Sequence, residues 1–152
     1  MKQARILPVS LLALVLILAS CQPSNQEPSY RYRQLTWHFN EAEFACHHCG
    51  RPHVDPALVM ALQQLRDRIG TAIVVNSGFR CPDHNQTIGG ACHSYHMAGQ
   101  AADIHAPGVD TIDLALAAQE IEAFREGGIG VHVARGYVHV DLRTLPARWG
   151  DW

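Results

Sequence analysis

His96, Asp103 and His139 are the residues of this chain whose types and spacing point first to metal chemistry. A catalytic zinc site draws about three protein ligands and keeps one position open for water. His96 ends a long loop, Asp103 sits within a short apolar run, and His139 lies in the stretch Tyr137-Val138-His139-Val140-Asp141-Leu142-Arg143. Gly99 and Ala101 are small, as close backbone approach around an ion requires. Alternation along 137–142 puts Tyr137, His139 and Asp141 on one strand face and Val138 and Val140 on the other. The valines then pack a core while the polar face lines a site. A polar sheet surface with satisfied histidines fits the same alternation, so spacing alone leaves both open. The chain carries 10 His, and its only Lys is Lys2, so every cation of the folded part is Arg, whose planar fork suits carboxylates.

The elements that must position these residues can be read from caps and periodicity. Asp55-Pro56 supplies an N-cap and a favoured first helical residue, Leu58, Ala61, Leu62, Leu65 and Ile69 recur at helical spacing, and Gly70 ends the helix. Residues 72–75 form a short β-branched apolar run, expected as a buried strand. Residues 76–95 hold Gly, Pro, Asn, Asp and Cys without periodicity and are expected as a long loop, a feature that is commonly functional in a small domain. A strand over 101–105 follows, then a helix capped by Asp110 or Thr111 and running to about Phe124. Gly127-Gly128 breaks the chain before strands 129–133 and 137–142, joined as a hairpin across Ala134-Arg135-Gly136. This order implies an α+β fold, a small single domain, with no internal repeats.

Length and composition bound the rest. The chain has 152 residues, 47% hydrophobic and 17% charged, which fits one folded domain and excludes a disordered chain. A net charge of -2 lacks the basic footprint of a nucleic-acid binder. Lys2 and Arg5 precede an apolar run over 6–19, and Leu18-Ala19-Ser20-Cys21 follows, which reads as an export signal over 1–20. The Leu-Ala-Ser-Cys ending resembles a bacterial lipoprotein signal and implies lipidation of Cys21, with Gln22 permitting outer-membrane sorting. Residues 21–34 then form the lipidated Cys and a flexible tether rich in Pro, Ser and Tyr, and 35–152 form the folded domain. Four further cysteines, Cys46, Cys49, Cys81 and Cys92, suggest disulfides in an exported domain, with Cys81–Cys92 and Cys46–Cys49 as compact closures. The rival is a second zinc site from Cys46, His47, His48 and Cys49, for which a lone CxxC lacks the usual second ligand pair.

Ser94-x-His96-x-x-Gly99-x-Ala101-x-Asp103 followed by Val138-His139-Val140-Asp141 resembles the zinc D-alanyl-D-alanine carboxypeptidase family, which includes murein endopeptidases and phage endolysins. His38-Phe39, Phe44-x-Cys46, Asn76-Ser77-Gly78-Phe79-Arg80, Asn85 with Gly89-Gly90-Ala91, Gly130 and Arg148-Trp149 match in order, so the resemblance covers 36–149. It implies a hedgehog-like α+β fold, an antiparallel sheet with flanking helices. It also implies one Zn2+ per chain held by His96, Asp103 and His139, and an Arg80 that binds a peptide carboxylate. Ser94 is expected to orient loop or ligand by hydrogen bonding. Several relatives carry an acidic residue three positions before the last His ligand; here that position is Gly136. Asp141 is the expected proton acceptor, or else a carboxylate that fixes a neighbouring His or Arg. His132 is a further candidate acid or base, and Tyr137 a candidate donor to a developing oxyanion. The resulting expectation is a zinc-dependent peptidase acting on peptidoglycan stem peptides or cross-links, exported and lipid-anchored at the periplasmic face of the outer membrane. The alternative is a non-catalytic zinc-containing lipoprotein that binds the wall.

Overall fold

Asp55 begins the first helix as the sequence dictates: its carboxylate accepts from the Ala57 N–H at 2.9 Å, Pro56 follows, and Gly70 closes the helix at φ 68°. This helix, α1 (Pro56–Ile69), buries Leu58, Val59, Ala61, Leu62 and Leu65. The structure is a computed structural model that describes residues 31–152. The expected signal, Cys21 and most of the tether lie outside the described residues. Among the described residues, no helix is long and apolar enough to cross a membrane.

The remaining elements are β1 (Val74–Ser77), α2 (Pro82–Thr87), β2 (Ala101–His105), α3 (Thr111–Gln119), α4 (Glu122–Arg125), β3 (Gly128–His132), β4 (Tyr137–Asp141) and β5 (Ala147–Gly150). The strands form one sheet in the order β1-β2-β4-β3-β5. β1, β2, β4 and β3 pair antiparallel, as expected, while β5 pairs parallel with β3, so the sheet is mixed. Arg148 on β5 donates to the carbonyls of Phe124, Arg125 and Gly127, which ties this last strand to the end of α4.

Helix residues cover one face of the sheet. Ala102 and Ile104 of β2, Ile129 and Val131 of β3, and Val138 and Val140 of β4 join Leu58, Leu62, Leu114, Ala118 and Phe124 in a single core. Each fully buried aliphatic or Phe side chain contributes about 1.5–3 kcal/mol. Period-two alternation then directs Asp103, His139, Asp141 and the glycines of β3 to the opposite face.

Two expectations change in detail. The helix expected through Phe124 breaks at Ile121, whose extended backbone (φ -90°, ψ 119°) turns both Ile121 and Phe124 into the core. The loop expected over 76–95 contains the end of β1 and the short α2, which starts at Pro82 and is too short to show periodicity.

Gly78 lies where the chain leaves β1 against the turn at Phe44. A Cβ there would stand 2.6 Å from Phe44 Cα and 2.8 Å from its carbonyl oxygen, backbone atoms that no rotamer change can move. Gly78→Ala is expected to destabilise the domain by about 1–3 kcal/mol, read as a lower urea midpoint at unchanged slope; an unaltered midpoint would refute this packing argument.

Candidate metal centre

One rung of the sheet carries the site. Ser77, Asp103, His139, Gly130 and Trp149 are successive register partners across β1, β2, β4, β3 and β5. A bulge between Val75 and Ser77 brings Ser77 opposite Asp103, the kind of local re-aiming that bulges provide beside functional sites. His96 reaches the rung from outside the sheet, on the 3-10 turn Tyr95–Ala98 that Ser94 begins and Gly99 ends at φ 69°. Gly99 is required there, because a Cβ would meet the His53 carbonyl oxygen at 2.7 Å.

His96 Nε2, His139 Nδ1 and Asp103 Oδ1 converge in a triangle with edges of 3.2, 2.9 and 3.3 Å. His96 is 2% exposed and Asp103 7%. The outer partners fix which ring nitrogens carry protons. His96 Nδ1 lies 2.7 Å from the Gly78 carbonyl, which can only accept, so this nitrogen donates and Nε2 is left with a bare lone pair. His139 faces a carboxylate on each side, Asp141 Oδ2 at 3.0 Å from Nε2 and Asp103 Oδ1 at 2.9 Å from Nδ1, and a ring whose single proton lies on Nε2 toward Asp141 presents Nδ1 bare to the triangle. Three lone-pair atoms therefore face one another in a buried space, an arrangement that repels unless a cation or a proton sits between them. Ligands about 2.0–2.2 Å from a four-coordinate ion stand roughly 3.3–3.5 Å apart, close to these edges. The donor set fits a metal ion with an open fourth position.

Second partners neutralise both carboxylates. Arg80 Nη2 donates to Asp103 Oδ2, and its Nε donates to Ser77 Oγ at 2.9 Å. Arg143 grips Asp141 with its Nε and Nη2 at 2.8 and 2.6 Å and with its backbone N–H at 3.0 Å. Burial opposes ionisation of Asp103, but the hydrogen bonds from His139 and His96 hold its carboxyl far below the usual carboxylate range. Asp141 is likewise held far below it, burial being outweighed by Arg143 and His139. Burial pushes His96 down. His139 is pushed up, because Asp103 and Asp141 together outweigh its burial.

The sequence-expected residues do not all meet. His96, Asp103, His139 and Arg80 come together. Asp141 is fully buried behind His139, bonded to the ring nitrogen opposite the one in the triangle. That is the position of a carboxylate that fixes a ligand, and it does not face the open side where a water would be activated. His132 and Tyr137 stack on each other at 4.6 Å between centroids, one same-face rung beyond His139. Ser94 stands at the start of the turn bearing His96, and its side chain caps nothing there.

The sequence argument gave no role to Arg143 or Gly128 and did not place Trp149 and Gly130 beside the centre. Arg143 lies 4.7 Å from the Trp149 ring and 5.3 Å from the Tyr95 ring, and Trp149 in turn lies 5.3 Å from His139. Gly128 and Gly130 make the room: a Cβ at Gly128 would stand 2.5 Å from the Asp141 carboxylate, and one at Gly130 would stand 2.4 Å from the Trp149 indole. The pattern Gly-x-Gly one strand before Val-x-Val carried that signal, because small residues on a polar face leave space for large side chains from neighbouring strands.

The expected disulfides are not formed. Cys46, Cys49, Cys81 and Cys92 are all free thiols, and Cys81 lies with Cys46 and Cys49, not with the exposed Cys92.

The fold and this centre define a metal-dependent peptidase class: the family model for Peptidase M15 matches residues 29–141, and the chain belongs to that family. Among curated proteins it is similar to the peptidoglycan L,D-endopeptidase MepK of Escherichia coli K12, 36% identical over 102 residues, covering 62% of this chain and 53% of that protein. The Shigella flexneri protein of the same name matches equally. The probable peptidoglycan L,D-endopeptidase MepK of Haemophilus influenzae is 32% identical over 103 residues, with the same shares covered. The chain spans about half the length of the curated relatives it matches.

Two measurements test the centre. Asp141→Asn keeps all three ligands but loses the carboxylate behind His139, so metal affinity is expected to fall about 10–100-fold; chelator competition after thiol alkylation reads this, and unchanged affinity would remove Asp141 from the site. In the metal-free chain a proton on His139 takes the ion's place between the carboxylates. Since the folded-state value of His139 is raised, its stabilisation is complete below about pH 6.5, the ordinary His range, and is lost as pH rises through the raised value. Thermal melts should therefore show the metal-free domain weakening on the alkaline side and the metal-loaded domain not; parallel curves would contradict a proton held on His139 between Asp103 and Asp141.

Proposed function

We propose that this chain is a zinc peptidase that cleaves amide bonds in peptidoglycan, acting on an L,D bond of its peptides as the names of its MepK relatives indicate. The observation that carries the proposal is the triangle of bare donor atoms from His96, Asp103 and His139 in a chain of the Peptidase M15 family. Zinc held by these three would supply a Lewis acid for the scissile carbonyl and a water acidic enough to attack near neutral pH.

The chain's own residues divide the remaining work. Arg80 orients Asp103 through Nη2 and rests on Ser77 through Nε, while its Nη1 makes no hydrogen bond among the described residues and can hold a substrate carboxylate or carbonyl. Asp141 keeps His139 in the tautomer that presents Nδ1. Proton transfer falls to His132 with Tyr137, which share the face of His139 and stand roughly 7 Å further along strands that rise about 3.4 Å per residue. Ser94 opens the turn that presents His96 through its backbone, its carbonyl accepting from the Met97 N–H at 3.0 Å. The same reading carries export and a lipid on Cys21, with residues 22–34 as a tether between membrane and wall.

A non-catalytic wall-binding role draws on Gly136, an αL residue at φ 68° with no side chain to serve as a base. One experiment separates the two. The chain, incubated with sacculi and purified muropeptides with and without zinc, is expected to release products by mass spectrometry only with zinc, and His96→Ala and His139→Ala should release none. Intact substrate with metal bound would favour the wall-binding role. His132→Ala is expected to lower kcat by about 100-fold or more, the usual worth of a general acid or base, at unchanged metal content. A kcat equal to that of the parent chain would withdraw His132 from proton transfer.

A further inference from the structure

Away from the His96–Asp103–His139 centre, Cys46, Cys49 and Cys81 bring three thiol sulfurs within 4.8 Å of one another. Two of the three are buried and the third is half-buried. The cluster joins two distant pieces of chain: Cys46 and Cys49 flank the turn after the 3-10 helix Glu41–Phe44, and Cys81 is the residue before α2. Two imidazoles border it. His84 Nδ1 lies 3.4 Å from Cys46 Sγ, and His48 Nδ1 lies 3.4 Å from Cys81 Sγ.

We propose that Cys46, Cys49, Cys81 and His84 form a second metal centre, structural and thiolate-rich, that takes a zinc ion. Bonds of about 2.3 Å to sulfur and 2.0–2.1 Å to nitrogen place tetrahedral S and N ligands roughly 3.5 Å apart, and the observed 3.4 Å between His84 Nδ1 and Cys46 Sγ matches. His84 is chosen over His48 because it is half-buried on α2, whereas His48 is exposed. Three soft sulfurs and one imidazole select zinc or a comparably thiophilic ion over the hard divalent cations.

The backbone around the cluster already favours negative sulfur. The Cys81 N–H points at Cys46 Sγ at 3.4 Å. On metal binding the three thiols release their protons to solvent, and no oxidant is needed. The centre would clamp the Cys46–Cys49 turn to the segment that runs from Gly78, whose carbonyl fixes His96, through Arg80, which grips Asp103. It would thereby hold in place the loop that supports the other centre.

The test separates this site from the first. Reduced full chain carrying His96→Ala and His139→Ala, titrated with cobalt(II), is expected to bind one ion with sulfur-to-cobalt charge-transfer absorption. The parent chain should bind two. Cys81→Ser and Cys46→Ser in that background should abolish the band and Cys92→Ser should not. His84→Ala should weaken it, and weakening by His48→Ala in its place would overturn the choice of His84. Because a serine variant can fail to fold, the parent chain supplies a second reading: zinc should slow alkylation of Cys46, Cys49 and Cys81 by at least about tenfold, since the free thiolate is the nucleophile, and leave Cys92 unchanged. No charge-transfer band, equal alkylation at all four thiols, or a Cys46–Cys49 disulfide in the chain as isolated would each overturn the proposal. Loss of peptidase activity with this centre intact would leave it standing.

Discussion

Three bare lone pairs forced into one buried space are the constraint around which this domain is built. His96 Nε2, His139 Nδ1 and Asp103 Oδ1 could each be satisfied separately by ordinary donors, yet the fold turns all three toward one another. The conflict persists because His96 commits its proton to the Gly78 carbonyl, and His139 has Asp141 behind it to take the proton that would otherwise point at Asp103. Those two commitments determine what the centre can accept. A cation with an affinity for imidazole and carboxylate relieves the repulsion; a proton on His139 relieves it partly.

Strand register delivers this arrangement. Ser77, Asp103, His139, Gly130 and Trp149 occupy one rung, so a slip of one residue in any pairing would send a ligand into the hydrophobic core and a valine to the site. The core guards against that slip. Val138 and Val140 are both fully buried against the helices, and exchanging them with His139 and Asp141 would bury two polar groups without partners. The apolar face of β4 therefore sets the geometry of its polar face. Gly128 and Gly130 complete the division of labour, since their missing side chains allow Asp141, Arg143 and Trp149 to lie across β3 and brace His139 from behind.

Much of this was legible in the sequence where local rules act. The capping of α1, the alternation of β4 and the hairpin across Gly136 all follow from residue type and spacing, and they place His139 and Asp141 correctly. The α+β class follows from the order of those elements. What local rules could not supply were facts about non-neighbours. Asp141 shares a strand face with His139, which suggested a shared role at a water; only the identity of the bonded ring nitrogen shows that it stands behind the ring. Arg143 carried no recognisable pattern, because its importance lies in Asp141 and the two aromatic rings it covers. Nearness in sequence makes Cys81–Cys92 a compact closure, whereas the α2 start carries Cys81 to a turn 35 residues earlier.

Charge distribution decides what the centre can attract. Asp103 and Asp141 each have one arginine, Arg80 and Arg143, so once both imidazoles are neutral, as metal ligation requires, the protein groups of the rung sum to near zero charge. A divalent ion held in the triangle would make the open side of the rung positive, and Arg80 Nη1, without a hydrogen bond among the described residues, would add a directed donor to it. A site with that polarity attracts carboxylates and polarised carbonyls and repels cationic groups. Had the carboxylates been left without arginines, the ion would have been held by two negative charges and its attraction for a substrate oxygen weakened. The arginines thus do more than satisfy buried acids: they would leave the charge of a bound ion available to an incoming oxygen.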